Sequence, residues 1–293
     1  MKPNRKYKDS VFTRYFSEDP KRLIDLYNAL EGKNYPEDTP VEVNTIEDVL
    51  YKDRINDLSF LLDGQLIVLV EHQSTINRNM ALRMLIYLGR LYEKILPSDT
   101  MYRSTLVPLP APKFIVLYNG EEECPEYSQQ HLSAAFSDGS EPPMIDLTVD
   151  VWNVNYGKDA EEVSRSKSLN EYSFFIHSVR CEHEKEPDLA KAIKNAIRKC
   201  IQADIMKDFL TRNGSEVENM LFTEWKWDTA LRVREQEGER RGEQRGEQRG
   251  GIAMLCNAVV NGMMTIANAL QLSGCTEDEF SAWMKKFHPD YKI

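Results

Sequence analysis

The chain has 293 residues, of which 41% are hydrophobic and 29% charged. That suits a soluble globular protein with one large domain and room for a small appendage. A formal net charge of −10 excludes a uniformly basic nucleic-acid binder and confines any such surface to a local basic patch. Apolar runs such as LSFLL and LIVLV are far too short to span a membrane. The basic start MKPNRKYKDS lacks the apolar stretch of a secretory signal. Cysteines 124, 181, 200, 256 and 275 are odd in number and never spaced as CxxC, which predicts reduced thiols in a cytoplasm rather than a disulfide framework or a zinc ribbon.

In chain order, residues 1–22 hold seven basic residues against three acids, a first candidate basic patch. A helix is expected over 20–30, where Leu23, Leu26, Tyr27 and Leu30 fall at helical spacing and Pro20 suits a first turn. After the turn-rich EGKNYPEDTP come two strand-like runs, INDLSFLL and QLIVLVEHQ, joined through Asp63-Gly64, a hairpin signal. Apolar residues at 80, 84, 85, 88, 91, 92 and 95 predict an amphipathic helix over 78–95. FIVLYNG reads as a strand, 128–136 as a short helix, and 144–155 as a further strand with Ile145, Leu147, Val149 and Val151 alternating with polar residues.

From 158 to 234 the pattern is helical, with a break expected at Asn213-Gly214. AKAIKNAIRK (190–199) is a second candidate basic patch. Residues 238–250, GERRGEQRGEQRG, repeat every four residues. On a helix their Arg and Glu stripes lie roughly 200° apart, and each glycine costs about 1 kcal/mol relative to alanine. The segment is therefore expected as a flexible linker, the alternative being helices from two chains paired across it. Beyond it, three short helices are expected over 252–261, 264–271 and 276–286. The acids of TEDEF at the last helix start favour packing or oligomerisation over insertion into a DNA groove. The expected organisation is a core over 1–157, a helical extension over 158–235, the charged repeat over 236–251 and a helical module over 252–293.

The hairpin carries the candidate chemistry. Alternation puts Asp57, Ser59 and Leu61 on one face of the first strand, and Ile67, Leu69, Glu71 and Gln73 on one face of the second. A two-residue loop would set Asp57 opposite Val70. A three-residue loop, Asp63-Gly64-Gln65, pairs residues that sum to 128 and sets Asp57 across from Glu71, at a distance suited to sharing one Mg²⁺. A bulge would give the same shift. Two acids at the ends of apolar strands are costly without compensation, and a bound cation supplies it. His72 faces the other way and is expected in the core or at the surface rather than as a general base. Arg83, Tyr87 and Arg90 line one face of the helix that follows; that stripe suits phosphate contact or a salt-bridged surface equally. Cys181 and His183 have no partner pair, so no metal is read there, and Trp225 and Trp227 are expected to anchor a packed helix.

The stretches DSVFTRYF, LYNALEG, INDLSFLLDG, LVEHQSTINRNMALRMLIYLGRLYEKI, PAPKFIVLYNG and WNVNYG together resemble the recombination-promoting nuclease (Rpn) family, transposase-like proteins of the PD-(D/E)XK nuclease superfamily. The resemblance spans residues 7–157. It implies an α/β, restriction-endonuclease-like core, a mixed sheet flanked by helices with a C-terminal helical extension. It also implies Mg²⁺- or Mn²⁺-dependent endonuclease cleavage of DNA in recombination or mobile elements. Residue by residue, Asp57 and Glu71 match the metal-binding acids, and Gln73 stands where the superfamily has lysine, as in this family's E-x-Q variant. Gln73 can orient water but cannot supply positive charge; Lys52 and Arg83 are candidates for that. Glu31 and Glu47 both offer the further carboxylate that the superfamily often adds. The sequence departs from the family's DxxFK start: Thr13 and Arg14 follow DSVF, which puts the role of a lysine there in doubt. The acidic charge and the glutamine also fit a different class, a catalytically inert interaction or oligomerisation protein that keeps the fold.

Overall fold

The computed structural model describes residues 10–44, 58–137, 143–158 and 160–291, and only the backbone at 227–239, 241 and 244–245. Its two compact units are 1–225 and 226–293.

The first unit opens with α1 (Val11–Ser17), capped by the Ser10 hydroxyl accepting the Thr13 N–H, and α2 (Pro20–Glu31). Pro20 sits in the first turn of α2, and Gly32 ends it in the left-handed conformation at φ 60°, which glycine adopts without a Cβ penalty. Strands β1 (Val41–Val43), β2 (Leu58–Leu62) and β3 (Leu66–Gln73) follow, then α3 (Met80–Ile95) and β4 (Ala111–Tyr118). Next come β5 (Tyr127–His131), a single 3₁₀ turn over Leu132–Ala135, and β6 (Thr148–Asn153). The helix expected over 128–136 is therefore a strand and a 3₁₀ turn. The strand YSQQH alternates exposed and half-buried residues at the sheet edge and carries no apolar period to betray it.

The sheet order is β1-β2-β3-β4-β6-β5. β3, β4 and β6 are parallel, while β1, β2 and β5 each join antiparallel. A mixed six-stranded sheet with helices on both faces is the α/β architecture expected from alternating elements. On one face Leu58, Phe60, Val68, Val70, Ile115 and Leu117 pack under α1, α2, α4 (Glu161–Arg165), α5 (Lys167–Lys185) and α6 (Leu189–Gln202). The start of α7 (Lys207–Val260) packs with them through Phe209, Leu210, Val217 and Leu221. The segment expected as an extension thus supplies much of this core. On the other face Ile67, Leu69, Phe114, Val116, Val149 and Val151 meet α3 through Met80, Met84, Tyr87 and Leu91.

Helix α7 runs unbroken through Asn213-Gly214. A Cβ at Gly214 would make an ordinary 3.9 Å contact with Ile197, so the residue is accommodated where the helix packs on α6. The repeat at 238–250 is also helical rather than a flexible linker. Its Arg, Glu and Gln residues are good helix formers and no proline interrupts them. The second unit ends with α8 (Ile266–Ser273) and α9 (Glu277–Phe287), which close on the last turns of α7 through Ile252, Cys256, Val259, Ala269, Phe280 and Met284. The acids that open α9 include Glu279, which forms a capping box with Thr276, so part of that charge has a local structural role.

Candidate functional site

The hairpin turn places both Asp63 (φ 51°) and Gly64 (φ 64°) in the left-handed region, and the Gln65 N–H donates to the Leu62 carbonyl at 3.1 Å. Glycine takes that conformation freely, and aspartate is among the few residues that tolerate it. The ladder pairs Leu58 with Val70, Ser59 with Leu69, Phe60 with Val68, Leu61 with Ile67 and Leu62 with Leu66. Every pair sums to 128, the register that a shared site for Asp57 and Glu71 requires. Asp57, Lys52 and Glu47 themselves lie outside the described residues.

Glu71 is 2% exposed. A carboxylate that deep needs a compensating charge, and Arg83 of α3 supplies one: its Nη2 lies 2.8 Å from Glu71 Oε2. The same nitrogen donates to the Tyr87 hydroxyl at 3.0 Å, and the Arg83 guanidinium stands 5.7 Å from the Tyr87 ring centroid. The stripe from Arg83 to Tyr87 is thus turned toward the sheet. Gln73 lies on the same face as Glu71, and its Nε2 donates to Met80 Sδ at 2.9 Å. Sequence separation explains how these groups meet: β3 ends at Gln73 and α3 begins at Met80, so the helix folds straight back over the acid.

Glu31 does not join them. It ion-pairs with Lys113 from α2, on the opposite face of the sheet. His72 also faces that side. Its ring stacks on Phe12 at 4.9 Å and meets Tyr172 edge-on at 5.4 Å. Burial, aided by the positive charge of Arg180, pushes its pKa down to about 4, so it is a neutral core histidine at pH 7. The motif residues Phe12, Tyr15 and Phe16 are buried in the same core.

Sequence reasoning missed the support behind Gln73. The Asn119 N–H donates to the Gln73 carbonyl at 2.8 Å. Arg180 of α5 donates from Nη2 to the Asn119 carbonyl and from Nη1 to Asn155 Oδ1 at 2.7 Å. Asn155 Nδ2 in turn donates to the Gly120 carbonyl at 3.0 Å. Gly120 has no room for a side chain: a Cβ there would lie 2.1 Å from the Ser74 carbonyl oxygen. The YNG and WNVN segments therefore brace the end of β3, and their asparagines and glycine were the available signal.

The basic helix is largely neutralised. On α6, Lys191 pairs with Asp188, Lys194 with Glu218 and Lys199 with Glu182. Cys181 and His183 form no metal cluster, and no group of three or more His, Cys, Asp or Glu side chains gathers anywhere among the described residues. All five cysteines are free. Trp225 packs on the larger core and against His183. No helix among the described residues is long and apolar enough to cross a membrane.

Comparison with curated proteins returned no match, and neither did comparison with solved structures. Residues 9–208 match a protein family, a span that takes in the whole sheet, the Glu71–Arg83 pair and the Arg180 brace. With that match over more than half of its length, the chain belongs to the family described as "Putative transposase, YhgA-like".

Proposed function

We propose that this protein is a Mg²⁺-dependent DNA endonuclease of mobile-element or recombination processes, its mixed sheet a restriction-endonuclease-like core. The observation that carries the reading is Glu71. It is a buried acid at the end of a central strand, in the register that Asp57 would need to face it, with an arginine at 2.8 Å.

The donor chemistry fits the metal. Mg²⁺ takes hard oxygen ligands and commonly uses one or two carboxylates, completing its shell with water and substrate phosphate. Glu71 and Asp57 would hold it, with the Arg83 guanidinium against Oε2 of Glu71. When bound, Mg²⁺ lowers the pKa of water and offsets charge on the phosphate. Gln73 orients water through its amide, and Arg83 provides the fixed positive charge that Gln73 cannot.

A second reading, an inert interaction protein, draws on the same pair: Glu71 and Arg83 already neutralise each other without a metal. Nicking of supercoiled plasmid separates the two. The nuclease reading expects Mg²⁺-dependent nicking by the wild type that is lost in both Asp57→Ala and Glu71→Gln, with Mg²⁺ or Mn²⁺ raising the wild-type melting temperature but not that of Glu71→Gln. A wild type that neither nicks nor gains stability from either ion establishes the inert reading. Cleavage of a matched RNA in preference to DNA would correct the substrate.

A further inference from the structure

Arg22 lies on the face of the sheet away from Glu71, in a cavity of about 600 Å³ formed by α2, the start of α5 and residues 204–209. This volume lies within the usual range for small-molecule sites. The Arg22 guanidinium lies over the Tyr15 ring at 4.1 Å and 5.8 Å from the Phe209 ring centroid, and its Nη1 donates to the Tyr15 carbonyl at 2.6 Å. A stacked guanidinium with one nitrogen tethered is already oriented, and its remaining N–H donors match a phosphoryl group.

Four of the six carboxylates that line the cavity have other partners. Glu37 pairs with Lys21 at 2.9 Å and Asp204 with Lys207 at 3.0 Å. Glu171 accepts from the Tyr15 hydroxyl and the Met206 N–H. Asp25 accepts from the Ser166 hydroxyl and the Ser168 N–H. No described carboxylate forms an ion pair with Arg22. The wall also includes Asp204 and Met206, which are not glycine yet have φ of 64° and 47°. Such strained residues persist where surrounding structure holds them, often at ligand clamps.

We infer that this cavity binds a small nucleoside phosphate, its phosphoryl group on Arg22 and its sugar hydroxyls toward the carboxylates of Asp25 and Glu171. Six carboxylates line the cavity against four cations, a balance that repels a polyanion such as DNA but admits one phosphoryl group seated on a fixed arginine. Tyr35, half-buried at the cavity wall, offers an aromatic ring for the base. The inference does not depend on nuclease activity.

Calorimetric titration of the full-length protein with the nucleoside monophosphates, adenosine and inorganic phosphate tests it. At least one nucleoside monophosphate should bind, adenosine and inorganic phosphate at least tenfold more weakly. Arg22→Lys keeps the charge but loses the fork, and should weaken the nucleotide at least tenfold. Should that variant fail to fold, Lys167→Glu serves: the side chain is 85% exposed at the cavity wall, and reversing its charge should weaken binding several-fold. A wild type that binds no nucleoside monophosphate, or that binds inorganic phosphate as tightly as the nucleotide, overturns the inference. So does unchanged nucleotide affinity in a folded Arg22→Lys or, where that does not fold, in Lys167→Glu.

Discussion

The two faces of the sheet treat neighbouring residues of one strand in opposite ways. Toward α1, α2, α5 and α6 lies a thick core of aromatic rings, and His72 enters it stripped of charge. Toward α3 lies a thinner core, closed by a single helix, and Glu71 enters it with a guanidinium waiting. Depth alone does not distinguish them. The difference is whether the covering element brings a charge of the right sign. A helix that begins seven residues after the strand ends could deliver Arg83, whereas the thick side delivers Phe12 and Tyr172 and keeps Arg180 near enough to oppose protonation.

Breaking the thick side should have the largest effect. Phe12 is fully buried and touches His72, Phe16 and Tyr172, so Phe12→Ala should cost about 3–5 kcal/mol in urea unfolding. On the thin side, Arg83→Ala leaves a buried carboxylate without its guanidinium, a loss of about 3–5 kcal/mol in fully buried pairs. Arg83 is about one-third exposed, which places its loss near 3 kcal/mol, and Arg83→Lys should recover part of it.

The comparison sharpens with pH. The folded pKa of His72 is pushed down to about 4 from 6.5, so above pH 6.5 the ring is neutral in both states and contributes no pH dependence. Between pH 6.5 and 4 the unfolded chain binds a proton that the folded protein refuses, and stability falls as pH falls. For a shift of this size the loss is about 3 kcal/mol by pH 4. His72→Phe should remove that part of the slope, as read by urea midpoints at pH 7 and pH 4.5. The smallest effect concerns the turn that assigns residues to faces. Gly64→Ala meets no steric obstacle, but its φ of 64° disfavours a Cβ, and the cost should be about 1 kcal/mol with the register kept. Amide exchange across the β2–β3 pairs would reveal a slip, which would exchange the two faces.

Much of this was legible beforehand because it rests on short-range rules. The Asp63-Gly64 turn, the alternation along β3 and the apolar period of α3 each report on their own neighbours. Glu71 and Gln73 fell on the expected face for that reason, and His72 on the other. Arg83 was recognised as a candidate cation, but nothing in its spacing said that it would turn inward to Glu71. The brace through Asn119, Asn155 and Arg180 joins segments up to 61 residues apart, a distance that no periodicity spans. The repeat misled for another reason: its glycines argued for flexibility, while the helical preference of the residues between them agrees with the continuous helix.

The turn between β2 and β3 also bears on the order in which the molecule folds. Glu71 and Arg83 are 12 residues apart, and the hairpin closes through three. Hairpins of this kind form within about 1–10 μs, so the acid and its arginine can meet while most of the chain is still unfolded. His72 and Tyr172 are 100 residues apart, and contacts of that separation wait on slower, global closure. The contacts that bring the acid to its arginine are therefore local, whereas the aromatic core behind the same strand depends on contacts of far longer range.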